Sequence, residues 1–320
     1  MPIFMGQDLP PFAFEGLDRL ELEREDQQAM DLRLASDDLA IIPVWRNQIL
    51  VNPQRDQMVT LARSEPQIAP MLGQAILLGD VAGRPHACLD ISALPPSDES
   101  GDFPIGPVLG GEPSQFVPPR AIAPALPALD MGMTALALHF TAWDKRTRFC
   151  GRCGGATQTR QGGASRICEN HKSPELFFPR INPAVIMLIR DPADQQIILG
   201  RSPMLPPGMI TILAGYLSPG ETLIQAVKRE TLEEVGIQVR DVNYYGSQPW
   251  AYSGSLMVGF SAVADSADLT VNKDELDEAD WYTRDQIREL KAQGELKLPT
   301  GFSIARMMID AWLDSAPEPA

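Results

Sequence analysis

Residues 215–237 read GYLSPGETLIQAVKRETLEEVGI, and the reading of this stretch decides the rest. Ser218, Pro219 and Gly220 are turn chemistry. Glu221 and Thr222 follow where a helix N-terminus favours an acid and a hydroxyl. Leu223, Ile224, Ala226 and Val227 give a helical stripe expected to face the core. Gly236 ends that helix where a positive φ is commonly needed. Glu230, Glu233 and Glu234 stand at i, i+3 and i+4, so three carboxylates are expected to crowd one side. Such crowding repels, and a solvated helix would interleave lysines. Clustered carboxylates suit a hard divalent cation, which takes oxygen ligands and is brought to phosphates. Arg229 and Glu221 are placed to pair and tie the loop to the helix. The plain alternative, an acidic surface helix, must also account for both glycines, the arginine and the distant Glu221.

The order G-x5-E-x7-R-E-x-x-E-E-x-G resembles the signature of the Nudix hydrolases at every charged and glycine position. Thr231 departs, standing where that family has an aliphatic residue. The resemblance implies an α/β fold, an α/β/α sandwich around a mixed sheet. It also implies hydrolysis of a nucleoside diphosphate linked to a second moiety.

Upstream lies a second constellation. Cys150 and Cys153 form a C-x2-C knuckle, and Cys168 and His171 repeat the gap after fourteen intervening residues. This is a Cys3His ribbon spacing for structural Zn2+, closed by four protein ligands. A redox C-x-x-C pair with unrelated neighbours is the competing reading. Lys145, Arg146, Arg148, Arg152, Arg160, Arg166 and Lys172 make this region basic inside a chain of net charge −15. An RNA surface and plain charge balance are both open; charge balance is favoured, because no aromatics interleave to stack bases. The overall charge argues against broad nonspecific nucleic-acid affinity.

The flanks complete the division. Residues 1–145 read as a β-rich N-terminal domain, 146–176 as the ribbon and 177–320 as the catalytic domain. A polar helix is expected over Glu21–Arg33. LAIIPVWRNQILV and AILLGDVAGRPHACLDI read as hairpins, the second turning at Gly83. Cys88 reads as a small buried apolar residue. Residues 93–129 read as a long loop, and Met131–Lys145 as a helix in which His139 is packed or capping. Beyond the acidic stretch, strands are expected at Val239–Tyr245 and Ser255–Ala264, and helices over WYTRDQIREL and Ser303–Leu313. Neither a secretory leader nor a membrane-spanning run is read, and Cys usage suits a reducing, cytoplasmic setting.

Residues 247–257 read SQPWAYSGSLM. With the ribbon placed directly before the Nudix domain, this is similar to the NADH pyrophosphatase (NAD-capped RNA hydrolase) branch. The match holds at Ser247, Gln248, Pro249, Trp250, Ser255, Leu256 and Met257; Ala251 and Ser253 replace prolines, and Tyr252 keeps an aromatic. An ordinary loop with a buried tryptophan is the alternative.

The resemblance assigns roles residue by residue. Ala214, Glu230, Glu234 and Glu275 are expected to hold Mg2+ or Mn2+. Glu233, Glu234 and Glu275 are candidate bases, with Arg229 and Glu221 supporting them. Phe178 and Tyr216 are expected to stack on the dinucleotide base. Gln248, Pro249, Trp250, Ala251, Tyr252, Ser253, Gly254, Ser255 and Ala305 are expected to line the pocket. A family glutamate is Gly163 here. The implied reaction is cleavage of NAD(H) to NMN(H) and AMP, with removal of NAD caps from RNA as a linked activity, by a homodimer. ADP-ribose, coenzyme A or a dinucleoside polyphosphate as substrate, or a non-catalytic NAD- or RNA-binding protein, are the other readings.

Overall fold

A computed structural model describes residues 12–96, 114–122 and 124–315. The chain divides into two compact units, one running to Arg180 and including Ala251–Gly254, the other comprising Ile181–Trp250 and Ser255 onward.

The first unit is built on an antiparallel-rich sheet. β1 (Leu17–Asp18), β2 (Ala40–Trp45), β3 (Gln48–Val51), β4 (Leu61–Ala62), β5 (Ile76–Val81), β6 (Arg84–Asp90) and β7 (Gln115–Val117) are its strands, in the order β1-β5-β6-β2-β3-β7 with β4 also on β2. Both expected hairpins form. Arg46 and Asn47 at one turn, and Ala82 and Gly83 at the other, all take positive φ, as tight hairpin turns require. Cys88 is fully buried on β6, and burial pushes its thiol pKa up, away from reactivity. The polar helix is shorter than the sequence suggests: α1 spans Gln27–Leu34, because Asp26 caps it by accepting the Ala29 N–H at 3.1 Å. The expected loop over 93–129 contains β7 and α2 (Pro119–Ile122), while 97–113 lie outside the described residues, as do 1–11. α3 (Ala128–Arg146) packs on β2, β5 and β6.

The ribbon follows as β8 (Gln158–Arg160), β9 (Ser165–Cys168) and β10 (Glu175–Phe177), in the order β10-β9-β8. Arg166 is only 8% exposed; it donates to Thr157 Oγ1 at 2.7 Å and pairs with Asp144 of α3. Arg148 also pairs with Asp144, Arg160 with Glu169 at 2.8 Å, and Lys145 with Asp90 at 2.9 Å. Much of the basic character is therefore neutralised locally, as the charge-balance reading expects.

In the second unit a mixed sheet runs β14-β15-β11-β12-β16, with β13 on β11. The strands are β11 (Asn182–Arg190), β12 (Gln196–Arg201), β13 (Leu213–Tyr216), β14 (Val239–Trp250), β15 (Ser255–Ala264) and β16 (Glu278–Thr283). β11 and β15 pair in parallel and the other neighbours antiparallel. β11 is apolar on both faces, as a doubly covered strand must be. Val185, Met187 and Ile189 pack with Ala226, Val227 and Val235 of α4 (Leu223–Val235). Ile186 and Leu188 pack with Ile287 of α5 (Arg284–Gln293) and Met308, Ile309 and Trp312 of α6 (Ile304–Asp314). The sheet thus lies between helices, an α/β/α sandwich. Two sequence expectations change. Ile224 is 48% exposed rather than core-facing, so the buried stripe of α4 is Ala226, Val227 and Val235. The strand expected to end at Tyr245 continues to Trp250, because each residue from Ser247 to Trp250 keeps a partner on β15.

Candidate metal-dependent hydrolase site

The turn before α4 is fixed by side chains at both ends. Thr222 Oγ1 accepts the Gln225 N–H and Gln225 Oε1 accepts the Thr222 N–H at 2.9 Å, a reciprocal cap. Glu221 Oε2 accepts the Ser218 N–H at 3.0 Å, which closes the turn. Gly236 takes φ +74° and its N–H reaches Leu232 O, ending the helix. A Cβ there would lie 2.8 Å from Thr270 Cβ, so the bare Cα also admits the loop between β15 and β16.

Arg229 is the hub. Its guanidinium meets Glu221 Oε2 at 2.9 Å, Glu230 Oε1 at 2.8 Å, Glu233 Oε2 at 2.7 Å and the Tyr216 carbonyl at 2.9 Å. The planar fork suits this many acceptors in a way an ammonium does not. Its pairing holds the Glu221 carboxyl down at about 2 and raises its own pKa.

The three acids of α4 do not share one environment. Glu233 is half-exposed and held by Arg229. Glu230 and Glu234 are buried, at 7% and 6% exposure. The Glu230 carboxylate packs on Gly215 of β13 so closely that any Cβ there would overlap it. Burial pushes Glu230 up, although Arg229 opposes the shift. Burial first, and then the negative charges of Glu230, Glu275 and Glu233, push Glu234 up to about 8. Glu234 Oε2 is buried without a hydrogen-bond partner among the described residues. A buried acid pair with an orphaned oxygen, beside further carboxylate charge, is a set of hard donors that a divalent cation fits.

Glu275 reaches this cluster from a loop hung on the end of α4. The Asn272 N–H donates to Glu234 O at 2.9 Å and the Thr270 N–H to Val235 O at 2.8 Å. Asn272 Nδ2 holds Glu275 Oε1 at 3.4 Å. Ala214 is brought to the same strand end by its register opposite Ile186.

The other expected residues are distributed as follows. Tyr216 is 55% exposed and its hydroxyl lies 3.2 Å from Ser255 Oγ. Phe178 is 56% exposed. Gln248, Pro249 and Trp250 sit in β14 rather than a loop. Gln248 is wholly buried: Nε2 donates to Phe302 O at 2.8 Å, and Oε1 accepts the Ile304 N–H at 2.8 Å. It therefore caps the start of α6, where Ala305 follows, 5% exposed. Trp250 stacks on Phe302 with ring centroids 6.1 Å apart. Ala251–Gly254 form the hairpin tip; the Arg120 guanidinium lies 4.6 Å over the Tyr252 ring and Phe12 meets its edge. The signals at Phe302 and Arg120 were missing from the sequence reading, since nothing local marks either. Gly163 takes φ +92°, and a Cβ there would lie 3.0 Å from Ile76 Cγ1, so a glutamate does not fit this backbone.

The ribbon ligand atoms of Cys150, Cys153, Cys168 and His171 all lie within 4.8 Å of one another. Cys150 Sγ is 3.5 Å from His171 Nε2, and Cys153 Sγ is 3.6 Å from Cys168 Sγ. Three thiols and an imidazole converging this tightly match a tetrahedral zinc set.

An acid-bearing helix laid against a mixed sheet between two helical layers defines a Nudix-type domain. Comparison with known proteins agrees. Residues 180–299 match the NUDIX domain family, 40–143 the NADH pyrophosphatase-like rudimentary NUDIX domain and 145–171 the NADH pyrophosphatase zinc ribbon domain. NAD-capped RNA hydrolase NudC of Mycobacterium bovis is 32% identical over 321 residues, covering 97% of this chain and 96% of that protein. Human NAD-capped RNA hydrolase NUDT12 is 38% identical over 205 residues, covering 59% of this chain. The chain spans only 44% of the length of that human relative. A NUDIX hydrolase structure from Nitrosomonas europaea aligns at 22% identity with a TM-score of 0.38, over 52% of this chain and 90% of that one. The chain belongs to the Nudix hydrolases, in the NADH pyrophosphatase branch that carries a zinc ribbon.

Proposed function

We propose that the chain hydrolyses the pyrophosphate bond of NAD(H): one water is added across the P–O–P bridge, giving NMN(H) and AMP. The observation that carries this is the buried pair Glu230 and Glu234, the first packed on Gly215 and the second with Oε2 lacking a partner among the described residues. Ala214, Glu230, Glu234 and Glu275 would hold the cation. Bound there, Mg2+ or Mn2+ neutralises phosphate charge and lowers the pKa of bound water. Arg229 fixes Glu230 and Glu233 in place and, through Glu221, holds the preceding turn. Glu233, Glu234 and Glu275 are the candidate proton acceptors. Phe178 and Tyr216 offer exposed ring faces for a base. Gln248 sets the start of α6, and this reading gives Pro249, Trp250, Ser255 and Ala305 of the same unit to substrate binding; the resemblance adds Ala251, Tyr252, Ser253 and Gly254.

The division into an N-terminal domain, a ribbon holding structural Zn2+ and a catalytic domain belongs to this reading, as does a homodimer. The names of both relatives support NAD-capped RNA as a second substrate carrying the same bond. Substituting Ala251 and Ser253 for the branch prolines favours testing other dinucleotides beside it. Among the described residues no helix is long and apolar enough to cross a membrane. The test incubates zinc-loaded protein with NADH and Mg2+ or Mn2+ and separates products by chromatography. NMNH and AMP in equal amounts are expected; intact NADH, with ADP-ribose or coenzyme A cleaved instead, would move the assignment to another substrate.

A further inference from the structure

β14 ends at Trp250 and β15 begins at Ser255, both in the second unit, while the tip Ala251–Gly254 that joins them belongs to the first. Trp250 and Ser255 are also the last pair of the β14–β15 ladder. The tip holds no proline to stiffen it, and Gly254 takes φ +70°. Its backbone alone does little to fix its course, so side-chain contacts have to.

Tyr252 supplies them. The Arg120 guanidinium of α2 lies 4.6 Å from the centre of its ring, and the Phe12 ring stands at 87° to it with centroids 5.7 Å apart. The quadrupole of an aromatic ring favours both arrangements. The Tyr252 hydroxyl oxygen is closed to solvent, and burial pushes its pKa up to about 12 although the Arg120 charge opposes the shift. Gly254 rests on α3: a Cβ there would lie 3.5 Å from His139 Cε1 and Nδ1, and His139 hydrogen-bonds the Arg180 backbone. All of these partners lie in the first unit. On the other side, the tip leads to the substrate residues. Ser255 Oγ lies 3.2 Å from the hydroxyl of Tyr216, one of the two rings given to the base above.

We infer that Arg120 is a positioning residue for the substrate: by holding the Tyr252 ring it fixes the tip, through the tip Ser255, and through Ser255 the Tyr216 ring. Its action is indirect, and Tyr252 serves as the anchor of its own hairpin. The inference rests on the NAD(H) reading, which gives Tyr216 a base to stack on.

The test measures NADH hydrolysis by the full-length, zinc-loaded protein with Mg2+, and in parallel hydrogen exchange of the peptide around the tip by mass spectrometry. Arg120→Met should raise KM about two- to fivefold, the scale of one exposed cation–π contact, with kcat changed by less than about twofold. Arg120→Lys keeps a cation over the ring and should recover most of the loss. Tyr252→Ala should raise KM at least about tenfold, since the anchor itself is gone. Arg120→Met and Tyr252→Ala should both speed exchange in the tip, and thermal melts establish that each variant is folded. The deciding arm repeats Arg120→Met in a Tyr216→Leu background. No further rise in KM is expected there, because the ring through which Arg120 acts is absent; a merely structural loss would appear in both backgrounds. An unchanged KM in Arg120→Met, an equal rise with and without the Tyr216 ring, or unchanged exchange in both tip variants would overturn the inference. A parent that leaves NADH intact would instead overturn the catalytic reading on which it rests.

Discussion

The Glu230 carboxylate packs onto the bare Cα of Gly215, in space that any side chain at 215 would occupy. The nearest atoms are the far end of a flexible side chain rather than backbone. Gly215→Ala should therefore leave the fold and its melting temperature nearly unchanged while displacing Glu230. Catalytic efficiency with NADH should fall about 10–100-fold, the usual cost of misplacing a metal carboxylate. Unchanged kcat/KM at every Mg2+ concentration would contradict the assignment of Glu230.

Glu234 makes the acid cluster pH-sensitive. Its folded pKa of about 8 lies above the usual carboxyl value, so the protonated form is favoured in the folded chain. Without a divalent cation, the stability it contributes is complete below about pH 4 and is lost as pH rises through about 8. Thermal melts from pH 5 to 9 should show this loss, Mg2+ should offset it above pH 8, and Glu234→Gln should flatten it. Divalent-cation affinity should rise with pH by up to about tenfold per unit for each proton displaced.

Arg229 touches Glu221, Glu230, Glu233 and the Tyr216 carbonyl together. Arg229→Lys keeps the charge and loses the fork. Activity should drop about 10–100-fold, and Glu221→Gln should produce a smaller loss, since it removes one contact. Double-mutant kinetics check this: the two losses should be far from additive.

Gln248 is the structural surprise of the SQPW segment. Its buried amide satisfies Phe302 O and the Ile304 N–H. Gln248→Leu strands both groups and should cost about 2–4 kcal/mol in urea unfolding, given roughly 1–3 kcal/mol per buried unpaired group. A loss below about 0.5 kcal/mol, the range of inconsequential surface changes, would show that the cap is dispensable.

The ribbon should carry stoichiometric zinc by elemental analysis after purification without chelators. Cys153→Ser should lower zinc content and the melting temperature, because metal binding supplies folding free energy. His171→Ala tests the fourth ligand and should do the same.

Local chemistry was legible in the sequence where the determinant is itself local. The turn, cap and stop of α4 follow from Ser218, Thr222 and Gly236, and the zinc set from two short knuckles. The two hairpins follow from short apolar runs on either side of residues that take positive φ. Long-range determinants were not legible. Nothing near Ile224 says that it is left 48% exposed, and nothing near Gln248 says that its partners lie at Phe302 and Ile304.

The sequence by itself determined the acids, their spacing on one helix and the order of ribbon before Nudix domain. A helix periodicity places charges on a face but does not set their solvent exposure. Only the tertiary structure separated the three acids, leaving Glu233 on Arg229 at the surface while Glu230 was buried against Gly215 and Glu234 was buried with an oxygen lacking a partner among the described residues. Glu230 owes its place to β13, which meets α4 through Gly215 and through the Tyr216 carbonyl on Arg229, while burial and then the charges of Glu230, Glu275 and Glu233 lift Glu234 to about 8.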